Sequence, residues 1–268
     1  MQNLEIRKKR EVEFHDRLTR EESESLTSNR KFYFITRKSE DLKLKLAIEW
    51  GKGGRILDYC CGEGSTSLKL AQEGLEVIGI DISPEPLKKA KEEALRIGVQ
   101  GFTSFLVMDG ENMEFEDNSF DLITCFGVLH HLDIKKAYSE LARVLKPGGR
   151  VICTEPLIHN PVFQLYRKLT PRLRTEWEVE HISSRKEIKL AEKYFDRVEK
   201  KFFHLFTLLA VPLRNTFLFK SVLWFLEFLD SIVLTIPGIK WLAWQVVFII
   251  SDPKKEKYFG VENKGKLC

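Results

Sequence analysis

The chain has 268 residues, 43% of them hydrophobic and 31% charged, with a formal net charge of +4. That is enough for one large folded domain, and the composition excludes a disordered, collagenous or low-complexity class. The mild positive charge, with no basic stripe interleaved with stacking aromatics, gives nucleic acid no evident hold.

Residues 1–30 are polar with charges of both signs, and their charged start reads as no secretory signal. Leu4, Ile6, Phe14 and Leu18 are too sparse for a strong core face, so the stretch reads as a solvated helix or as a flap over a site. Ser39, followed by Glu40 and Asp41, marks a helix start. Leu42, Leu44, Leu46, Ala47 and Trp50 carry that helix to a stop at Gly51. The first strand is 55–58. It is followed by a small-residue loop, Cys60-Cys61-Gly62-Glu63-Gly64, and a helix over 65–72. A second strand, 76–81, ends on Asp81, and Pro84 opens the next helix. A third strand, 103–108, leads into Asp109, and a fourth, 120–126, ends at Phe126. After a helix carrying Ala137, Leu141, Val144 and Leu145, a turn at 146–149 precedes a fifth strand, 150–154, which leads into Glu155. Segments 195–204 and 244–250 read as a sixth and a final strand.

The intervening 205–243 is rich in Leu, Phe, Trp and Ile. Arg214, Lys220, Glu227, Asp230 and Lys240 interrupt it, so no uncharged run reaches the roughly 20 residues of a membrane span. It reads as an apolar helical insertion, docked in a core or lying in a membrane interface. Lys200-Lys201 and the charged run 254–257 flank it and could meet anionic lipid. The five cysteines, Cys60, Cys61, Cys125, Cys153 and Cys268, form no CxxC pair. They read as reduced, inert side chains of a cytoplasmic protein.

Strands alternating with helices at this spacing imply a parallel, doubly wound sheet whose ligands bind at the carboxyl ends of the strands. Asp58, Asp81, Asp109, Phe126 and Glu155, from five different strands, collect at that edge. Two ligands compete for the glycine turn. Gly62-x-Gly64-x-x-Ser67 approaches a dinucleotide fingerprint, but its third position is serine. S-adenosylmethionine fits the charges better. Asp58 would repel a pyrophosphate but attract an ammonium, directly or through water. Asp81 can accept both ribose hydroxyls, and Asp109 can accept from an adenine amino group.

At 52–157 the motifs LDYCCGEG, IGIDIS, VMDGENMEFEDNSFDLITCFGVLHHL and RVLKPGGRVICTEP, in that order, resemble those of class I S-adenosylmethionine-dependent methyltransferases. The resemblance implies that Asp58, Gly62 and Gly64 form the cofactor loop. It makes Asp81 the ribose acid and has Ile82 pack on adenine. It also has Asp109 and Gly110 contact adenine and Phe126 line the methionine arm. The family usually has glycine where this chain has Cys60. The implied fold class is α/β: a Rossmann-like, doubly wound seven-stranded sheet with its last strand antiparallel. A helical cap over 1–50 and the insertion 205–243 between the last two strands complete a single domain, with 158–204 as the acceptor-side segment. A softer likeness of the C-terminal part, to a branch of bacterial and archaeal methyltransferases, assigns no acceptor.

Methyl transfer from a sulfonium needs positioning and a dry site, and it needs a base only if the acceptor atom must lose a proton. His130, His131, Glu155 and His159 are the candidates, the first three at the ligand edge. A helix-start pair making local hydrogen bonds is the bland alternative for His130 and His131. A metal site from His130, His131, His159 and His181 has no ligand-spacing signature, and no metal is expected. Arg172, Arg174, Glu176, Glu180 and His181 form either a solvated cluster or an acceptor-recognition loop. The expected function is methyl transfer from S-adenosylmethionine to a small hydrophobic acceptor, such as a lipid, isoprenoid or quinone-like molecule, with 205–243 roofing its pocket or adding core. A glycan or lipid-linked sugar acceptor, an NAD-dependent oxidoreductase and a non-catalytic cofactor-binding or membrane-associated module are the alternatives.

Overall fold

The computed structural model describes residues 2–21, 32 and 34–254. Seven strands form one sheet: β1 Ile56–Tyr59, β2 Val77–Asp81, β3 Thr103–Val107, β4 Phe120–Phe126, β5 Leu145–Pro156, β6 Phe195–Phe203 and β7 Gln245–Pro253. Their spatial order is β3-β2-β1-β4-β5-β7-β6. β1 to β5 pair in parallel, and β7 runs antiparallel to both β5 and β6. The order reverses between β2 and β4, on either side of β1, and opens a crevice at the carboxyl ends of those strands.

The helices are α1 Gln2–Arg20, α2 Arg37–Gly51, α3 Ser65–Gln72, α4 Pro84–Arg96, α5 Ile134–Val144, α6 Pro161–Leu169, α7 Glu176–His181, α8 Arg185–Leu190 and α9 Phe219–Val233. Central strands such as β1 are buried on both faces, so they read as continuous apolar runs. Ile56, Leu122, Ile152 and Val247 face Ala47 of α2 on one side. Leu57, Ile123, Val151 and Ile250 alternate to the other side, against Tyr138 and Leu141 of α5.

Three local expectations change. The helix assigned to Ser39 starts at Arg37, because Thr36 takes the N-cap position, without a side-chain capping bond. Ser39 is instead buried within it, its hydroxyl 2.8 Å from Gln245 Oε1 and 3.0 Å from His204 Nε2. The Lys-Pro-Gly-Gly turn is absorbed into β5 as an irregularity. Phe120 pairs with Leu145 and Leu122 with Arg150, so the extra residues bulge from the ladder. Finally, α1 is not a solvated helix. Over 5–20, the part whose side chains are described, its buried residues are polar (Arg7, Glu11, Asp16 and Thr19), while Ile6 faces solvent.

The insertion contains a short 3-10 segment, Thr207–Leu213, then α9 and a second 3-10 turn, Ile239–Leu242. Leu208, Val211 and Leu226 pack on Ile35, Phe163 and Trp244. Asp230 anchors α9 to the end of β6 by accepting the Leu205 and Phe206 N–H groups at 3.1 and 2.7 Å. The opposite side of α9 presents Trp224, Phe225, Phe228 and Ile232 to solvent, and Phe217, just before it, is 92% exposed. Among the described residues no helix is long and apolar enough to cross a membrane. Lys255, Glu256, Lys257 and Cys268 lie outside the described residues.

Candidate active site

The loop after β1 is held from below. Asp58 Oδ2 accepts the Ser67 N–H at 3.0 Å and its hydroxyl at 2.7 Å, and Oδ1 accepts the Thr124 hydroxyl at 2.9 Å. Burial raises the Asp58 pKa, with these bonds opposing it. Of the two modes expected for Asp58, direct contact with a ligand does not fit a carboxylate engaged in this way and set behind the cavity wall. Asp58 clamps the loop to α3 and β4. Gly64 opens α3 at φ +72, where a Cβ would lie 2.9 Å from the Phe105 ring. Its role is packing beneath the loop. Gly62, at φ +53, donates its N–H to Asp81 Oδ2 at 2.9 Å. Cys60 adopts φ +51, the left-handed backbone that explains why the resembled family prefers glycine there.

Above the loop lies a cavity of about 250 Å³. Gly62, Asp81, Ile82, Asp109, Gly110, Phe126 and His131 line it together, joined by Cys60 and Cys61; Asp58, Gly64, His130 and Glu155 stand behind the wall. Asp81 Oδ1 accepts the Ser83 N–H at 2.9 Å. One bond to each oxygen leaves further lone pairs for two hydroxyls. Asp109 Oδ1 accepts the Glu111 N–H at 2.9 Å, and the Tyr59 hydroxyl donates to the Gly110 carbonyl at 2.8 Å, fixing this turn from β1. Burial, reinforced by the nearby carboxylates, raises the Cys60 and Cys61 thiols well above their usual range, so both stay protonated. Buried Cys125 and Cys153 are also free thiols.

The roof is α1, whose part in the site the apolar pattern concealed. Arg7 pairs with buried Glu111, and Lys8 pairs with Asp109. Arg20 reaches Glu85 at 3.0 Å. Glu11 Oε2 lies 3.1 Å from His131 Nδ1 and 3.6 Å from His15 Nε2. The i, i+4 spacing of Arg7, Glu11 and His15 was the available signal: it puts all three on one helix face. Glu11, His15 and His131 also hold ligand-type atoms within 4.8 Å of one another. This is a different set from the four histidines considered for a metal.

Glu155 is fully buried. It accepts the Val128 and Leu129 N–H groups at 2.8 and 2.9 Å, lies 2.7 Å from His130 Nδ1, and accepts the Ser183 hydroxyl at 3.0 Å. Burial alone would raise the Glu155 pKa and lower that of His130. The attraction between them outweighs burial, so Glu155 is lowered and His130 raised. The expected direct roles of Glu155 and His130 give way to a structural one, an ion pair that shapes the turn after β4. His131 differs. It lines the cavity, and burial and the neighbouring His130 lower its pKa despite Glu11, keeping the imidazole neutral at physiological pH.

A second cavity of about 260 Å³ adjoins the first. His15, Phe126, Gly127 and His131 line both. Its other walls are largely aromatic and aliphatic: Phe14, Leu18, Phe32, Phe163, Leu173 and Trp244. Arg167 and Arg174 enter it with Glu178 between them. Of the polar cluster expected after Pro171, only Arg174 lines this cavity. His181 stacks on Trp177 instead, ring centroids 3.6 Å apart, and Glu176 pairs with Arg10 at the surface. No residue of 205–243 lines either cavity. The insertion buttresses Phe163 and Trp244, which do, so the expected roof acts one layer further out.

A sheet in this order, with a glycine loop after β1 and acids after β2 and β3 around one cavity, is the frame of class I S-adenosylmethionine-dependent methyltransferases. Residues 57–153 match the family model described as "Methyltransferase domain". Over these residues the chain is similar to a methyltransferase domain, and the sheet they form has the strand order of the class I fold. A demethylmenaquinone methyltransferase of Lactiplantibacillus plantarum is 37% identical over 129 residues, 44% of this chain and 54% of that protein. The ubiquinone/menaquinone biosynthesis C-methyltransferase UbiE of Geotalea daltonii is 35% identical over 126 residues, 46% of this chain and 53% of that protein. The chain thus spans about half the length of these curated relatives. The PH0226 protein of Pyrococcus horikoshii OT3 shares the fold at a TM-score of 0.52 and 22% identity, covering 81% of this chain and 91% of that one.

Proposed function

We propose that the protein transfers the methyl group of S-adenosylmethionine to a small acceptor with an apolar body, quinone-like or isoprenoid-like. The observation that carries this is the pair of cavities sharing one wall. The first holds the acids that suit adenosine, the second is mostly apolar, and Phe126, Gly127 and His131 stand between them. Asp81 would hold the ribose hydroxyls, Ile82 would pack on adenine, and Asp109 would accept from the adenine amino group. Phe126 would flank the methionine arm. The cofactor supplies an activated methyl group on a sulfonium. The chain supplies alignment and a site that excludes water.

Where the acceptor atom carries a proton, His131 takes it, oriented by Glu11. Glu155 and His130 act only by holding the turn that presents His131. The quinone methyltransferase names of the relatives support an apolar acceptor. The exposed apolar side of α9, with Arg214 and Lys220 near its start, supports peripheral contact with a membrane from which such an acceptor would be drawn.

The test is a titration of the purified protein with S-adenosylhomocysteine and with NAD, followed by labelled-methyl transfer to lipid and glycan extracts. Binding of S-adenosylhomocysteine and label in the lipid fraction are expected. NAD binding alone would sink the cofactor reading, and label confined to glycans would sink the acceptor reading.

A further inference from the structure

The second cavity is mostly apolar, yet its lining carries two guanidiniums and one carboxylate, Arg167, Arg174 and Glu178. Arg167 Nη1 lies 3.6 Å and Arg174 Nε 3.3 Å from the same oxygen, Glu178 Oε1. The rest of their bonding goes to neutral oxygens. Arg167 Nη2 donates to the Glu178 carbonyl at 3.1 Å, and Arg174 Nη1 donates to the Thr170 carbonyl and hydroxyl at 2.9 and 3.0 Å. Both arginine side chains are more than nine-tenths buried. Two buried positive charges sharing one negative charge are costly unless a second anion joins them.

A second, independent observation concerns the same walls. Trp244 Nε1 and Thr154 Oγ1 are buried without a hydrogen-bond partner among the described residues, and both residues line this cavity. An indole N–H can only donate, and a buried donor left unpaired is unfavourable. The surplus charge and the unpaired donors both call for a ligand that brings acceptor oxygens and a negative charge into an otherwise apolar room.

We propose that the acceptor is an amphiphile whose anionic group, a carboxylate or a phosphate, is held by Arg167 and Arg174, with Trp244 Nε1 and Thr154 Oγ1 as further donors. This rests on the reading of the second cavity as the acceptor site, and it narrows that reading: a neutral quinone would leave the surplus charge unmet. Burial beside each other also lowers the pKa of Arg167, to about 10, as expected of a guanidinium waiting for a second anion. Arginine presents paired donors that match either oxyanion.

The experiment is calorimetric titration of the protein, saturated with S-adenosylhomocysteine, with octanoate, octyl phosphate and octanol. The two anions are expected to bind at least about tenfold more tightly than octanol, the effect of one charge-assisted hydrogen bond. The tighter of the two identifies the anion as carboxylate or phosphate. Arg174→Gln leaves the Arg167–Glu178 pair in place while removing the surplus charge. It should abolish the preference with octanol binding unchanged. Trp244→Phe, which deletes only the indole N–H donor and part of the ring, should weaken anion binding in the same direction if the arginine variant does not fold. Equal affinity of the wild type for all three probes, or no binding of any, overturns the inference while S-adenosylhomocysteine still binds. Failure of S-adenosylhomocysteine itself to bind would refute the cofactor reading instead.

Discussion

Replacing Glu155 by glutamine removes one charge from the buried pair and leaves the volume of the side chain nearly unchanged. One amide oxygen can go on accepting the Val128 and Leu129 N–H groups, which bind Oε1 in the native chain. The other position becomes an NH2 that faces His130 Nδ1 and the Ser183 hydroxyl, where an acceptor is needed. Breaking a buried ion pair from one side costs about 3–5 kcal/mol, and the retained bonds place this change near about 3 kcal/mol. In a chain of this size that lowers the melting temperature by about 6–12 °C. The loss depends on pH. Folding lowers the Glu155 pKa from its ordinary 4.5, so its contribution is present above 4.5 and is lost as pH falls through the lowered value. Folding raises His130 from 6.5, so its contribution is complete below 6.5 and is lost as pH rises through the raised value. The pair therefore stabilises most between 4.5 and 6.5. Thermal denaturation of both proteins at about pH 6 and about pH 9 should show the larger difference at the lower pH. An equal difference at the two values, or one below about 2 °C, would refute the ion-pair account.

Three further outcomes follow from the site. Asp81→Ala should weaken S-adenosylhomocysteine binding about 10- to 100-fold by calorimetry, through lost charge-assisted hydrogen bonds and a loosened Gly62; unchanged affinity would remove Asp81 from the ribose site. Cys60→Gly relieves a left-handed backbone worth about 1–2 kcal/mol but adds unfolded-state entropy of about 0.5–1 kcal/mol. Its melting temperature should stay within about 3 °C of the parent, and a large drop would mean that the sulfur is a packing element. Serine at Phe217, Trp224 and Phe228 should abolish flotation with vesicles containing anionic lipid and leave S-adenosylhomocysteine affinity intact; full flotation of the triple variant would exclude this face as the membrane contact.

The sheet was legible because Gly and Pro punctuate short apolar runs. β4 and α3 begin and end where the pattern put them, at Phe120–Phe126 and Ser65–Gln72. The acids that end β2 and follow β3 were legible for the same reason, since the carboxyl edge of a parallel sheet gathers them. Asp58 misled because side-chain direction at a strand end depends on how the next loop folds, and this loop folds over it. Glu155 misled likewise: the turn after β4 closes around its carboxylate. The helix α1 was concealed by a stronger effect. Its docking face is polar, held by partners about a hundred positions away, such as Glu111 for Arg7 and His131 for Glu11. A hydrophobic pattern carries no trace of such pairing. The second cavity was hidden because Leu18, Phe163, Arg174 and Trp244 lie far apart in the chain and meet only in the folded protein.

The roof has a kinetic meaning. Lys8 of α1 occupies the carboxylate of Asp109 that an adenine amino group would use, and Arg7, Glu11 and Arg20 fasten the same helix around the rim. A nucleoside in that room leaves only when several ion pairs part together. Release of S-adenosylhomocysteine should therefore set the pace of turnover, and it should quicken as added salt weakens the fastenings. A stopped-flow dissociation rate indifferent to ionic strength would show that the door lies elsewhere.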